Sequence, residues 1–166
     1  MDMAQYQWVA AVIAAHPNRT LRGRTRLQKT IKLLQERGLQ CNYDFSMHYY
    51  GPYSEGLRAD VDMLGSLGLV REEFQTLEGG KRRSEFVADD SVEISRIAML
   101  QRRIDVLAEE PDTTILELAA TYDAFCGIGL SESNALNATR RKKPRKCNPV
   151  SEQKMLKLLK KLDSEN

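Results

Sequence analysis

The sequence predicts a mostly helical α+β fold, and three observations carry that expectation. Apolar residues recur at helical spacing along most of the chain; residues 43 to 50 alternate at period two instead; and two further short strands flank the pair Gly79-Gly80. The strand signals stop near residue 90. The chain therefore divides into a mixed N-terminal part, residues 1–89, and an all-helical extension, residues 90–166, packed on it as one compact unit.

In order, Tyr6, Val9, Val12 and Ile13 define a first helix that stops at His16-Pro17, because proline disfavours helical geometry in the residue before it. A basic loop follows. Leu27, Ile31 and Leu34 then mark a helix over roughly 25–37, with Gly38 as its C-cap. Tyr43, Phe45, Met47 and Tyr49 lie on one face of a strand, with Asp44, Ser46 and His48 on the other. Gly51 and Pro52 make a strand-to-helix junction, Pro52 suiting the first turn of a helix whose buried stripe is Leu57, Val61 and Leu64. Gly68 ends that helix, and strands over 69–76 and 82–88 form a hairpin with a basic tip. A helix followed by such a hairpin is the signature of a winged-helix-like core.

In the extension, Ile97, Leu100, Ile104 and Leu107 form one helix, broken by Pro111. Thr114 and Glu117 read as a capping box opening the next, with Ile115, Leu118 and Tyr122 facing inward and Gly127-Ile128-Gly129 at its end. Ser131 or Ser133 caps a further helix. Ser151 starts the last, which buries Met155, Leu158, Leu159 and Leu162.

Composition bounds the function. With 42% hydrophobic and 29% charged residues over 166 positions, the chain is an ordinary globular protein able to bury a core. Its start, Met-Asp-Met-Ala-Gln, lacks the pattern of a signal peptide and its apolar runs are short, so a cytoplasmic location with no membrane contact is expected. Cys41, Cys126 and Cys147 are far apart and free of metal-ligand spacing, so free buried thiols are expected, without zinc. No cofactor motif is present. A net charge of +2 implies nothing about nucleic acid; only clustering does.

The segments "GRTRLQKTIKLLQ", "YDFSMHYYGPYS", "LGSLGLV" and "KKPRKCNPVSEQKMLKLLKKL" resemble, in that order, the YwgA-type family of predicted regulators. That family is similar in plan to SocA-like Panacea antitoxin domains. The resemblance implies a winged-helix-like core with a helical extension, and a role as a transcriptional regulator or antitoxin-like protein.

Three regions are candidates for contact with double-stranded DNA. The first is the acid-free stretch from Arg19 through Arg22, Arg24, Arg26, Lys29 and Lys32, suited to neutralising phosphates. The second is the wing tip, Lys81, Arg82 and Arg83. The third is the run Arg140-Arg141-Lys142-Lys143-Pro144-Arg145-Lys146, an electrostatic anchor with no aromatic residue for base stacking. On the helix between them only Arg58 is a natural base reader, beside Glu55, Asp62 and Ser66. His48, Tyr50 and Tyr53 are candidates for an effector or peptide pocket, against the alternative that the tyrosines simply bury their rings. His48 lacks a nucleophile and an orienting partner, so no enzyme is expected. Two functions follow: a DNA-binding regulator, in one form a homodimer, and a protein-interaction module that holds a toxin or joins a larger complex.

Overall fold

The computed structural model describes residues 3–164 and is a mostly helical α+β fold. Its elements are α1 (Gln5–Ala14), β1 (Thr20–Arg22), α2 (Arg24–Gln35), β2 (Ser46–His48), β3 (Gly51–Tyr53), α3 (Glu55–Ser66), β4 (Val70–Thr76) and β5 (Arg82–Ala88). Four helices follow: α4 (Gln101–Glu109), α5 (Thr113–Gly127), α6 (Glu132–Lys142) and α7 (Pro149–Asp163). Strands β1, β5 and β4 form an antiparallel sheet in that order, while β2 and β3 pair only with each other.

The core follows from the apolar stripes. Helix α1 is buried on every side from Trp8 to Ala14, so its run Val9-Ala10-Ala11-Val12-Ile13 needs no polar face. Around it lie Leu27, Ile31 and Leu34 of α2, Leu57, Val61 and Leu64 of α3, and Phe86 of β5. Helix α5 joins the two parts, since it packs on α2 and β3 as well as on α6 and α7. One continuous apolar core results, running from Trp8 to Leu162.

Several expectations change at the element ends. The basic loop before α2 holds β1, whose three residues pair with Val87, Phe86 and Glu85; a strand this short leaves no periodic trace. The expected strand over 43–50 is a strand only at 46–48. Residues 43, 45 and 47 do turn inward as the alternation requires, but the backbone of Tyr43 is bracketed by the Gln35 side chain, which donates to its carbonyl and accepts from its amide. Pro52 belongs to β3, not to a helix. Helix α3 is capped by Ser54, whose Oγ accepts from the Leu57 amide at 3.1 Å. Asp112, not a Thr114/Glu117 box, caps α5. Ser131 caps α6 as expected, whereas Asn148 caps α7, with Pro149 at its first position and Ser151 completing the box. A 3-10 turn over Ser95–Leu100 precedes α4, though Ile97, Leu100, Ile104 and Leu107 are all buried.

Candidate functional site

The segment His48-Tyr49-Tyr50-Gly51-Pro52-Tyr53-Ser54 runs from the end of β2 through the turn and β3 to the cap of α3, with β3 pressed against α5. Gly51 takes φ +92°, and a Cβ there would lie 2.9 Å from Thr121 Oγ1, so the turn needs glycine on two counts. The Lys29 ammonium, 1% exposed, donates to the Pro52 carbonyl at 2.6 Å. Burial pushes its pKa down to about 8, with the Glu117 carboxylate opposing. Gln28 bonds both the amide and the carbonyl of Ser54. The buried part of this segment is thus its backbone and Gly51-Pro52.

The tyrosines do the opposite of what their aromatic character suggests. Tyr49 is 80% and Tyr50 56% exposed, set edge-on at 4.8 Å. His48 is exposed as well, with its ring 5.0 Å from that of Tyr53 and Nε2 on Ser46 Oγ. Tyr53 borders a hollow, beside Arg24, Arg58 and Phe86.

The C-terminal basic run is largely spent inside the protein. Glu117, 2% exposed on α5, accepts from Lys143 at 3.0 Å and from Lys146 at 2.7 Å. Lys143 also donates to the Tyr49 carbonyl, and the Lys146 ammonium lies 4.9 Å from the Tyr50 ring. Arg140 forks onto both oxygens of Glu152. Arg141 and Lys142 alone of the four anchor candidates remain on the surface with no partner among the described residues. Lys143 is therefore a core residue and not a polyanion contact. Glu117, expected in a capping box, is instead a buried anion: its acid stands inside an apolar run, and an unpaired carboxylate there, with a basic run further along the chain, is the signal that points to it.

The 19–32 stretch is corrected in the same way. Arg19 donates to the carbonyls of Asp89 and Val92, and Arg26, 8% exposed, to those of Leu107 and Glu110 at the end of α4. Lys32 pairs with Glu36. Buried guanidinium and ammonium groups require such acceptors, and here backbone carbonyls supply most of them. Arg26 and Lys29 are thus unavailable to a nucleic acid. Arg22 and Arg24 stay exposed and pair with Glu85 at 3.5 Å and Glu72 at 2.7 Å.

At the tip of the β4–β5 hairpin, Lys81 and Arg82 are exposed, the Arg82 guanidinium lies 4.3 Å from the centre of the Phe74 ring, and Arg83 donates to Gln75. On α3 the outer face presents Glu55, Arg58, Asp62 and Ser66 as expected, together with Met63 at 37% and Leu67 at 53% exposure. The three cysteines are free and half-buried. Among the described residues no cluster of three or more His, Cys, Asp or Glu suits a metal, and no helix is long and apolar enough to cross a membrane. No protein-family model matches the chain, and no curated protein matches it significantly.

Proposed function

We propose that the chain is a winged-helix-like module that binds another protein through the outer face of α3. The winged-helix reading is supported by the order α1, β1, α2, α3, β4, β5 and by a sheet in which β1 lies against β5 and the β4–β5 hairpin forms the wing. The β2–β3 hairpin is an insertion between α2 and α3. One observation carries the functional reading: the helix that would enter a major groove offers Glu55 and Asp62 against Arg58 alone, beside exposed Met63 and Leu67. Carboxylates set against phosphates oppose binding, whereas acidic groups around an apolar patch suit a protein surface bearing apolar and basic side chains. A toxin or a subunit of a larger complex fits that description, and no catalytic role is proposed.

The DNA reading keeps the exposed Lys81 and Arg82 at the wing tip and the exposed, unpartnered Arg141 and Lys142. A single pair of experiments separates the two. A partner copurifying from the native host should be lost in the variant Asp62→Lys/Met63→Asp, with thermal stability unchanged. A labelled duplex at about 50 mM salt should show no binding; strong binding that weakens steeply with salt and with Arg82→Ala would instead establish DNA as the partner.

A further inference from the structure

We infer that the β2–β3 turn and the basic run at the end of α6 form one binding surface for single-stranded nucleic acid, with Tyr49 and Tyr50 as its stacking platform. The surface uses no residue of the outer face of α3 and is independent of the protein partner proposed for that face.

The turn consists of Tyr49 and Tyr50, because His48 pairs with Gly51 across the hairpin. Turn positions favour Gly, Asn, Asp and Ser for their backbone freedom or short polar side chains, and tyrosine supplies neither. The core does not use the rings either. Tyr49 is 80% exposed, too much for both faces of its ring to be covered. What the fold does secure is the position of the pair. Lys143 donates to the Tyr49 carbonyl, and Gly51 is seated on Thr121 and Glu117 of α5. The rings brace each other edge to face, at an interplanar angle of 82°. An aromatic pair held this way meets a partner with little ordering left to do.

The charge around the rings is of one sign. Lys146 Nζ lies 4.9 Å from the centre of the Tyr50 ring and 5.9 Å from that of Tyr49. Arg145 beside it is exposed, as are Arg141 and Lys142, and none of the three has a partner among the described residues. No acid occurs in residues 45–54 or between Glu132 and Glu152. Glu117, the carboxylate that Lys143 and Lys146 share, is 2% exposed and so presents no anion to solvent.

An acid-free cationic surface attracts a polyanion, and the aromatic pair selects among polyanions. Any base can stack on a tyrosine by its face, but only an unpaired strand has faces to offer, since in a duplex the neighbouring pairs close them. The basic run carries no aromatic residue of its own. The hairpin supplies two, with Tyr49 standing 94 residues before Lys143 in the chain. Stacking and phosphate neutralisation thus meet at one place, the combination by which single strands are held without regard to sequence.

The test is fluorescence anisotropy of the full chain at about 50 mM salt with a labelled mixed-sequence strand of about ten nucleotides, as DNA and as RNA, and with the matching duplex. Polyphosphate and polyglutamate serve as competitors. Binding of either strand supports the surface, and the tighter of the two names the sugar. The strand should bind at least about fivefold more tightly than polyphosphate of equal charge, the factor that one stacked base contributes, and the duplex should not bind. Amide shifts should map to residues 49–51 and 141–146. In Tyr49→Ala/Tyr50→Ala the preference over polyphosphate should vanish while the rest of the amide spectrum stays unchanged, whereas Tyr49→Phe/Tyr50→Phe should keep it. Arg141→Gln/Lys142→Gln/Arg145→Gln should lower the slope of log affinity against log salt by about 2. Equal affinity for the strand and polyphosphate, or a preference that survives in the alanine variant, would overturn stacking. Duplex binding as tight as that of the strand would assign the run to a duplex backbone, and competition by polyglutamate as strong as by the unlabelled strand would assign the surface to an acidic protein; either refutes the proposal. An alanine variant that does not fold would show that the rings are structural, and would refute it as well.

Discussion

Lys29 keeps its ammonium in the core at a cost that depends on pH. Its pKa is about 8 in the folded protein against an ordinary 10.5, so below pH 8 both states are charged and the burial penalty is fully present. Between pH 8 and 10.5 the unfolded chain holds more protons, and stability due to this residue rises with pH. Lys29→Met removes the effect. The difference in unfolding free energy between wild type and Lys29→Met should move toward the wild type by about 1 kcal/mol per pH unit in that window, measured by urea unfolding. Tyr43 and the cysteines, all raised by burial in the folded protein, lose protons there in the unfolded chain, but they cancel in the comparison. The exposed tyrosines behave differently. Tyr50→Ala should cost less than about 1 kcal/mol, as surface truncations do, whereas Tyr43→Phe should cost about 1 kcal/mol by removing the 2.6 Å bond from its hydroxyl to Asp60. Thermal unfolding of both variants checks the contrast. A residue's own chemistry predicted neither result: aromatic character says that a ring prefers burial, and only the position of the β2–β3 turn shows that the rings of Tyr49 and Tyr50 cannot reach it.

Among the elements, the β2–β3 hairpin is held against α5 through β3, with Gly51 seated on Thr121 and Glu117. Gly51→Ala should destabilise by about 2 kcal/mol or more, combining a positive φ with the clash at Thr121. Thr121→Ala in the same chain should recover the clash part but not the backbone part, so a double-mutant cycle will be non-additive. Lys143→Met should cost about 3 kcal/mol, since it strips one buried partner from Glu117, while Arg141→Gln/Lys142→Gln should stay within about 0.5 kcal/mol. Equal effects of the two substitutions would refute the distinction between buried and free cations in this run. The helices were legible in the sequence because their stripes are local. The buried ion pairs were not, because Glu117 and Lys143 stand 26 residues apart and the acceptors of Arg26 lie 81 and 84 residues away. Runs of like charge look solvated until the fold supplies their partners.

For the whole molecule, the continuity of the core through α5 matters more than the change of composition near residue 90. Trp8 fluorescence, which reports on the N-terminal part, should trace the same urea transition as far-UV circular dichroism, which is weighted toward the helices of the extension. Two separated transitions would show that the parts unfold independently. Arg37 adds to this unity, bridging Asp123 at 2.7 Å and Asp163 at 2.7 Å from the end of α2.

The dependence on α5 also sets an order of events during synthesis. Tyr49 leaves the ribosome 94 residues ahead of Lys143, roughly 5–20 s at ordinary elongation rates. For most of that interval the faces of α2 and β3 that meet α5 have no cover, because Ile115 to Thr121 is added late and its ion-pair partner Lys143 later still. The nascent chain is therefore most vulnerable to aggregation and proteolysis just before α5 emerges, and slow codons between residues 54 and 113 would lengthen that exposure.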